Sequence, residues 1–199
     1  MNENVIGILG GTFNPIHNGH IELARLAHEQ FCIPTIYVMP SGNPASYKDT
    51  SDVVSATHRC NMVSLAIKPF SYMKLSKLEV DRKGYTYTAD TLMELSESFN
   101  KIYFIIGADS LLYLEKWKRP DVICTLLVAN RDDTRLAILE KQKEFLTQQY
   151  GADIHFINAP KLPFSSTSIR EQIVKHGNIS AMVSDNVKNY IYNNNLYIK

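Results

Sequence analysis

Residues Val5–His20 read VIGILGGTFNPIHNGH, an apolar run followed by a glycine pair and two histidines. The run Val5–Leu9 predicts a buried strand. After the glycines, apolar residues recur at helical spacing, which predicts a helix; they are Ile21, Ala24, Ala27 and Phe31. A strand that passes through a glycine turn into a helix N-terminus is a ready site for phosphate. The stretch therefore favours an α/β fold with a nucleotide site at the end of its first strand.

His17 and His20 are three residues apart, a spacing that puts two side chains on one face of a helix. If the helix begins near Asn18, both imidazoles point into the space above the glycine turn. Two imidazole donors beside backbone N–H groups suit a phosphate chain and the charge that it gains during substitution at phosphorus. Two alternatives stay open here: a loop whose histidines have no role, and a metal pair, for which cysteine or carboxylate neighbours are lacking.

Strand and helix patterns alternate along almost the whole chain, which predicts parallel strands joined by right-handed crossovers. We expect a Rossmann-like α/β fold, a doubly wound and mainly parallel sheet flanked by helices. It forms one domain, residues 1–199, with a small helical part at about 165–199. The predicted strands are 5–9, 35–39, 72–80, 101–106, 126–129 and 154–157, and further helices are predicted at 55–68, 90–99, 166–175 and 183–193.

Ligands of doubly wound sheets bind outside the carboxyl ends of the strands. Three polar or glycine-rich segments follow predicted strands and are expected at that edge: Gly10–His20, Pro40–Lys48 and Gly107–Ser110. Their shared location follows from the predicted topology alone.

Composition limits the classes of partner and compartment. Of 199 residues, 21 are Lys or Arg and 20 are Asp or Glu, so the net charge of +1 does not suggest nucleic acid or a membrane surface as a partner. The 3 cysteines are odd in number and far apart, which argues against a disulfide framework and for a reducing compartment. No apolar run approaches the ~20 residues of a membrane span, and the first residues do not resemble a signal peptide. We expect a cytoplasmic protein.

Two motifs together resemble the signature of the nucleotidyltransferase superfamily. GGTFNPIHNGH, residues 10–20, is similar to the pattern G-G-T-F-[DN]-P-x-H-x-G-H, and FSSTSIR, residues 164–170, is similar to I-S-S-T-x-I-R. The resemblance implies transfer of a nucleotidyl group from a nucleoside triphosphate to a small acceptor, with release of pyrophosphate and no covalent enzyme intermediate. Alone, the second motif is also explained by a helix N-cap followed by a solvated arginine.

Within that superfamily the chain resembles the bacterial nicotinate-nucleotide adenylyltransferase family nearly from end to end. Tyr87–Leu92 matches the segment Y-T-x-D-T-[LV], Phe104–Asp109 matches F-I-I-G-A-D, and Trp117 follows at the family's spacing. The resemblance implies that Thr88 and Trp117 hold a nicotinate ring, for which an indole face is well suited. Packing in the core or at its boundary is the alternative for Trp117.

The resemblance also implies roles for the remaining site residues. The implied catalytic residues are His17, His20, Lys48 and Arg170. Residues implied to bind ATP are Gly10, Gly11, Thr12, Phe13, Asn14, His17, His20, Gly107, Asp109, Ser165, Ser166, Thr167, Ile169 and Arg170. Those implied for the acceptor are Thr88, Trp117, Lys48 and Arg131. No protein ligand for a metal is implied, because the Mg²⁺ that the family requires lies mainly on the ATP phosphates.

The implied partners are ATP and nicotinate mononucleotide, and the sequence leaves homo-oligomerisation open. Alternatives are another acceptor, nicotinamide mononucleotide or phosphopantetheine, and a regulator that binds nucleotide without catalysis. For Asp109, the resemblance implies a place facing the ribose region or a metal-bound water, and a helix N-cap is the alternative.

The chain departs from the family pattern at several positions. Asn14 stands where aspartate is common, and it is still a short polar group able to hold the turn. The family's P-P-H-K segment reads PASYK here, so its histidine is missing and Lys48 comes about one residue later. The residues before the second motif lack the acidic group that is often present. Arg131 lies in a turn of altered sequence and either contacts phosphate or lies on the surface.

Overall fold

The structure is a computed structural model that describes residues 4–44, 52–122, 125–130, 136–160 and 163–198. Its strands are β1 (Val5–Gly11), β2 (Ile36–Pro40), β3 (Asn43–Pro44), β4 (Met73–Leu75), β5 (Tyr85–Thr86), β6 (Lys101–Gly107), β7 (Thr125–Asn130) and β8 (Ile154–Asn158). Its helices are α1 (Asn18–Phe31), α2 (Ala56–Ile67), α3 (Leu78–Asp81), α4 (Thr88–Ser96), α5 (Ala108–Leu112), α6 (Leu136–Tyr150), α7 (Ser166–Val174) and α8 (Asp185–Asn193). A 3₁₀ turn covers Leu114–Lys116. Across these described ranges, no helix is long and apolar enough to cross a membrane.

The main sheet has six strands in the order β4-β2-β1-β6-β7-β8, and every pair of neighbours is parallel. This confirms the predicted doubly wound α/β fold. In β1, Gly11 pairs with Pro40 of β2, and Leu9 pairs with Ile105 of β6. The chain order reverses between β1 and β6, so the crevice of the sheet opens where the glycine turn begins.

Two hydrophobic clusters cover the two faces of the sheet. Along β1, Ile6 and Ile8 pack on one face and Leu9 on the other, because successive side chains of a strand point to opposite faces. The Ile6 face is covered by residues of α4, α5 and α6, and the Leu9 face by residues of α1, α2, α7 and α8. Burial on both faces explains why the strands appear in the sequence as continuous apolar runs.

A second, two-stranded sheet was not predicted. Asn43 and Pro44 of β3 pair in parallel with Tyr85 and Thr86 of β5, and the Thr86 hydroxyl donates to the Asn43 carbonyl at 3.1 Å. Two residues are too few to show a hydrophobic period, so the sequence holds no signal for these strands. The small sheet joins the segment after β2 to the segment that leads into α4.

Replacing Gly42 with alanine is expected to destabilise the fold at this small sheet. A Cβ atom at Gly42 would lie 2.0 Å from the Glu79 carbonyl oxygen and 2.8 Å from Thr86 Cγ2, so the backbone would have to move. Overpacking of this kind costs about 1–3 kcal/mol of unfolding free energy, which chemical denaturation measures. Gly107→Ala is the matched control, since nothing lies within 4 Å of a Cβ there. Equal stability of the two variants would contradict the close contact at Gly42.

The structure differs from the predicted elements mainly at α6 and α4. No helix was predicted over α6, where Leu139 and Leu146 are buried but Ile138 and Phe145 are exposed, so the apolar pattern does not mark a single face. The α4 helix begins at Thr88 rather than at Asp90. The strand predicted at 72–80 is reduced to β4 and is followed by α3.

Candidate active site

The two motif histidines stand at the first turn of α1, on one face, as their spacing predicted. His17 is the N-cap residue, and its Nδ1 atom accepts a hydrogen bond from the Gly19 N–H at 3.1 Å. The His17 N–H in turn donates to Nδ1 of His20 at 3.2 Å. The two rings are stacked, with centroids 3.7 Å apart and planes inclined by 27°. These bonds replace those that a Ser or Thr cap ordinarily makes, so the pair also starts the helix.

The hydrogen bonds of the two histidines also select one tautomer. Because Nδ1 of each ring accepts a backbone N–H, the hydrogen of the neutral ring is on Nε2. Aromatic rings fix their orientation: Phe13 lies edge-on to His20 at 5.0 Å, and Phe164 lies edge-on to His17 at 5.7 Å. Both imidazoles are thus held as Nε2–H donors, the form that suits a phosphate oxygen.

Three carbonyl oxygens of the glycine turn are held by side chains from α2 and α7. The three bonds are Arg59 Nη1 to the Thr12 carbonyl at 2.8 Å, Arg170 Nη1 to the Asn14 carbonyl at 3.0 Å, and Ser166 Oγ to the Pro15 carbonyl at 2.8 Å. The C-terminal segment holds the start of α1 as well, since the Asn18 N–H donates to the Met182 carbonyl at 2.8 Å. Elements distant in sequence therefore fix the backbone that precedes the histidines.

The held carbonyls determine where the N–H groups of the turn point. In a trans peptide the N–H points opposite to the preceding C=O. With the Thr12 and Pro15 carbonyls turned toward α2 and α7, the N–H groups of Phe13 and Ile16 point away from those helices. Phe13 and Ile16 are 2% and 0% exposed, so these two N–H groups are packed within the protein, and the imidazole donors are the groups of the turn that suit an anion.

The second motif lies at the start of α7, against the same turn. Ser165 is the N-cap: its Oγ accepts from the Ser168 N–H at 3.2 Å, and its own N–H donates to Ser168 Oγ at 2.7 Å. Thr167 is exposed, and Arg170 is half-buried with one of its five N–H donors on the Asn14 carbonyl. Ile169 differs, because its side chain is 0% exposed within the core. The Ile169 side chain is therefore not placed to contact ATP directly. Instead it packs in the core, where it anchors α7 to the sheet.

Gly107 and Asp109 lie at the carboxyl end of β6, the strand next to β1, as predicted. Gly107 is exposed and is the N-cap residue of α5, with no side-chain hydrogen bond at that cap. Asp109 is the second residue of α5 and is exposed. The alternative that Asp109 caps the helix is therefore wrong. The carboxylate remains at the sheet edge that contains the glycine turn.

Thr88 and Trp117 line one small apolar pocket, together with Leu92, Phe104 and Leu126. Trp117 packs edge-on to Phe104, with ring centroids 6.2 Å apart. The pocket is linked to the glycine turn through Phe104, because a Cβ added at Gly10 would lie 3.3 Å from that ring. The structure thus brings the two predicted acceptor residues together and places them near the turn.

Charged side chains at the rim of this pocket tie its two walls together. Lys118 Nζ lies 4.3 Å from the centroid of the Tyr87 ring and 3.1 Å from a carboxylate oxygen of Asp90. These contacts link the start of α4 to the segment after the 3₁₀ turn. Lys118 directly follows Trp117 in the chain.

The predicted residues Lys48 and Arg131 lie outside the described residues. Before Lys48, the last described residue is Pro44. It pairs with Thr86, two residues before Thr88. The chain is described again from Asp52, whose carbonyl accepts a hydrogen bond from the Asn14 side chain at 2.9 Å.

The Asn14 side chain was predicted to contact ATP. In the structure, its amide nitrogen and its amide oxygen both form hydrogen bonds within the protein. Its Oδ1 atom accepts from the Val54 N–H at 3.2 Å and from the Tyr197 hydroxyl at 3.0 Å. Two residues of this network, Arg59 and Tyr197, were missed by the sequence analysis. Arg59 is 4% exposed, and burial lowers the pKa of its guanidinium. No local pattern separates either residue from an ordinary surface arginine or tyrosine.

Among the described residues, no group of three or more His, Cys, Asp or Glu side chains is placed to hold a metal ion. The paired histidines are stacked and their Nδ1 atoms are occupied by backbone donors. The donor set of the turn therefore fits a phosphate chain better than a bare cation.

Comparisons with known proteins agree with this geometry. A family model described as cytidylyltransferase-like matches residues 8–172. A probable nicotinate-nucleotide adenylyltransferase of Lachnoclostridium phytofermentans is 40% identical over 199 residues, covering 97% of this chain and 98% of the relative. One of Clostridium botulinum, strain Alaska E43, is 38% identical over 194 residues, with 96% of each chain covered.

Two solved structures of Plasmodium falciparum nicotinic acid mononucleotide adenylyltransferase share the fold. The complex with APC gives a TM-score of 0.76 at 22% identity, and the complex with NaAD gives 0.77 at 23% identity. Each alignment covers 98% of both chains.

Proposed function

Since the chain belongs to the nicotinate-nucleotide adenylyltransferase family, we propose that it transfers the adenylyl group of ATP to nicotinate mononucleotide in NAD biosynthesis. The products are nicotinate adenine dinucleotide and pyrophosphate. The observation that carries the proposal is the stacked pair of His17 and His20 at the switch point of the sheet, next to the pocket of Thr88 and Trp117.

In this proposal ATP lies across the glycine turn, with its adenine near the start of α7. The Nε2–H groups of His17 and His20 donate to oxygens of the α- and β-phosphates, and Arg170 adds positive charge from α7. Lys48, on the segment between β3 and α2, is proposed to add a second positive charge beside that of Arg170.

The acceptor reacts by direct in-line attack. An oxygen of its 5′-phosphate forms a bond to the α-phosphorus of ATP, while the bond from that phosphorus to the bridging α,β-oxygen breaks. Pyrophosphate leaves with the electron pair of that bond. The attacking phosphate is already ionised near pH 7, so no strong general base is needed. The protein contributes positioning and stabilisation of charge, which dominate in reactions of this type.

Members of this family generally use a divalent metal with ATP, and we propose Mg²⁺ as the ion. It enters as part of the nucleotide, with the triphosphate oxygens and water as most of its ligands, because Mg²⁺ gives up its waters reluctantly. Asp109, at the carboxyl end of β6, is proposed to face a metal-bound water or the ribose region.

For the acceptor we propose that the nicotinate ring stacks on Trp117 and that its carboxylate is received by the Thr88 hydroxyl and nearby backbone N–H groups. Thr88 is the first residue of α4, so its backbone N–H is one of those at a helix start that have no partner within the helix. Arg131 is proposed to contact the acceptor phosphate.

Pyrophosphate release by the purified protein, given ATP, Mg²⁺ and one of the two mononucleotides, tests the proposed function. We expect release with nicotinate mononucleotide and at least tenfold less with the nicotinamide form, since a charge-assisted hydrogen bond is worth about 1.5–3 kcal/mol. Equal or greater release with the amide would reassign the acceptor. If neither mononucleotide gives pyrophosphate release while ATP still binds, the proposed enzyme activity would be contradicted, and a nucleotide-binding regulator would be favoured.

We also propose a cytoplasmic location, for which the cysteines are the support. Cys32 and Cys60, the two that are described, are both free thiols. Free thiols are typical of a reducing compartment.

A further inference from the structure

The hydroxyl of Tyr197 contacts the glycine turn from the far end of the chain. It donates to Oδ1 of Asn14 at 3.0 Å, across 183 positions of sequence. Tyr197 is half-buried, and this partial burial raises the pKa of its hydroxyl, which is a hydrogen-bond donor at neutral pH. The backbone of Tyr197 has φ of 65°, the left-handed region that bulky residues rarely adopt.

Asn14 passes this contact to the backbone before the histidines. Its side chain bonds to Asp52 and Val54 on one side and to Tyr197 on the other, while its carbonyl accepts from Arg170. Three residues later the chain reaches His17, through Ile16, which is 0% exposed. Because Pro15 and Ile16 between them are both buried, we expect a displacement of Asn14 to shift His17 and its stacked partner.

Arg59 supports the same turn from α2. Its guanidinium donates to the Thr12 carbonyl at 2.8 Å and to the Val54 carbonyl at 3.3 Å. The positive charges of Arg59 and Arg170 both act on the Tyr197 hydroxyl, opposing the effect of its burial on the pKa. The three side chains thus form one network behind the turn.

We propose that Tyr197 is a positioning residue for His17 and His20, acting through Asn14. The role rests on the proposed function, since it concerns the geometry of the same phosphate site. It assigns to the C-terminal segment a part in catalysis without contact with either substrate. A purely structural tether would stabilise the fold and leave the histidines unaffected.

Tyr197→Phe tests this role, because it removes one hydroxyl and keeps the ring. Tyr190→Phe is the matched control. That hydroxyl also ties the C-terminal part to the body of the protein, with 3.0 Å to His58 Nδ1 and 2.8 Å to Asn61 Nδ2, but it does not contact the turn. We expect both variants to lose a similar few degrees of melting temperature, about 2–4 °C.

The kinetic readout separates the two variants. We expect Tyr197→Phe to lower kcat about tenfold, because a small misplacement of catalytic groups is costly, with little change in the KM for the acceptor. Tyr190→Phe is expected to keep kcat within about twofold of the parent. Equal kcat values for the two variants would overturn the proposal.

NMR signals of the histidine rings give a second readout that does not depend on activity. We expect Tyr197→Phe to shift the ring signals of His17 and His20, and Tyr190→Phe to shift those of His58. Unchanged His17 and His20 signals in Tyr197→Phe would overturn the positioning role. If the parent protein releases no pyrophosphate, the proposed function fails, and the NMR comparison still decides the role of Tyr197.

Discussion

Replacing His20 with alanine is expected to lower the turnover number of adenylyl transfer about 10²–10³-fold, while the protein stays folded. Loss of one preorganised donor to developing charge typically has an effect of that size. His20 is held by its stacking on His17 and by the edge of Phe13, so a water molecule or a neighbouring side chain would not reproduce its position. Steady-state kinetics at saturating ATP and acceptor, with pyrophosphate release as the signal, measure the change.

His20 also accepts the His17 N–H at the helix start, so alanine removes a capping bond together with the imidazole. His20→Glu separates the two effects, because a glutamate at this third helical position can restore the capping bond but has no N–H to donate to a phosphate oxygen. We expect it to recover stability and not turnover. His28→Ala is a control on the same helix: this side chain contacts the Ile33 carbonyl and stacks on Tyr72, away from the turn. Near-normal turnover of purified His20→Ala would contradict the proposed mechanism.

Replacing Trp117 with alanine is expected to raise the KM for nicotinate mononucleotide about 5–150-fold, with a much smaller change in kcat. Stacking of a flat heteroaromatic ring on an aromatic side chain is worth about 1–3 kcal/mol when it is tested by alanine substitution. The substitution removes the indole from the proposed acceptor pocket and removes nothing from the phosphate site. The KM for ATP should therefore stay close to that of the parent. Initial rates with the mononucleotide varied at saturating ATP measure the effect.

Tyr113→Ala is the matched control for Trp117. Tyr113 lies four residues earlier and is 58% exposed, with a cation–π contact to Lys116, and it does not line the acceptor pocket. It should leave both KM values within about twofold of the parent. An unchanged KM in Trp117→Ala would remove this residue from the acceptor site and favour a packing role against Phe104.

The histidine pair could be predicted from sequence because its geometry is local. A glycine turn that enters a helix at Asn18 leaves few directions for side chains at positions 17 and 20, and the structure stacks them at 3.7 Å. The order of the main-sheet strands and of most of the longer helices was equally local, since strands such as β1, β6 and β7 appear as apolar runs. The joint placement of Thr88 and Trp117 was implied by family resemblance and not by any spacing of residues.

The groups behind the turn could not be predicted, because they depend on contacts between distant parts of the chain. Arg59 lies 47 positions from its partner Thr12, and Tyr197 lies 183 positions from Asn14. A buried arginine in α2 has the same sequence signature as an exposed one. Asn14 was predicted as a short polar residue that holds the turn and as an ATP-binding residue, whereas its partners at Asp52, Val54 and Tyr197 are determined by the tertiary fold.

The edge-on packing of Trp117 against Phe104 has a practical consequence. The chain contains 1 tryptophan, and it lines the proposed acceptor pocket, so the intrinsic fluorescence of the protein excited at long wavelength comes from that place. Emission from an indole changes when a ring stacks on it or when water leaves its surroundings. Occupancy of the acceptor pocket can therefore be followed by titration in the unlabelled protein, independently of what binds at the glycine turn.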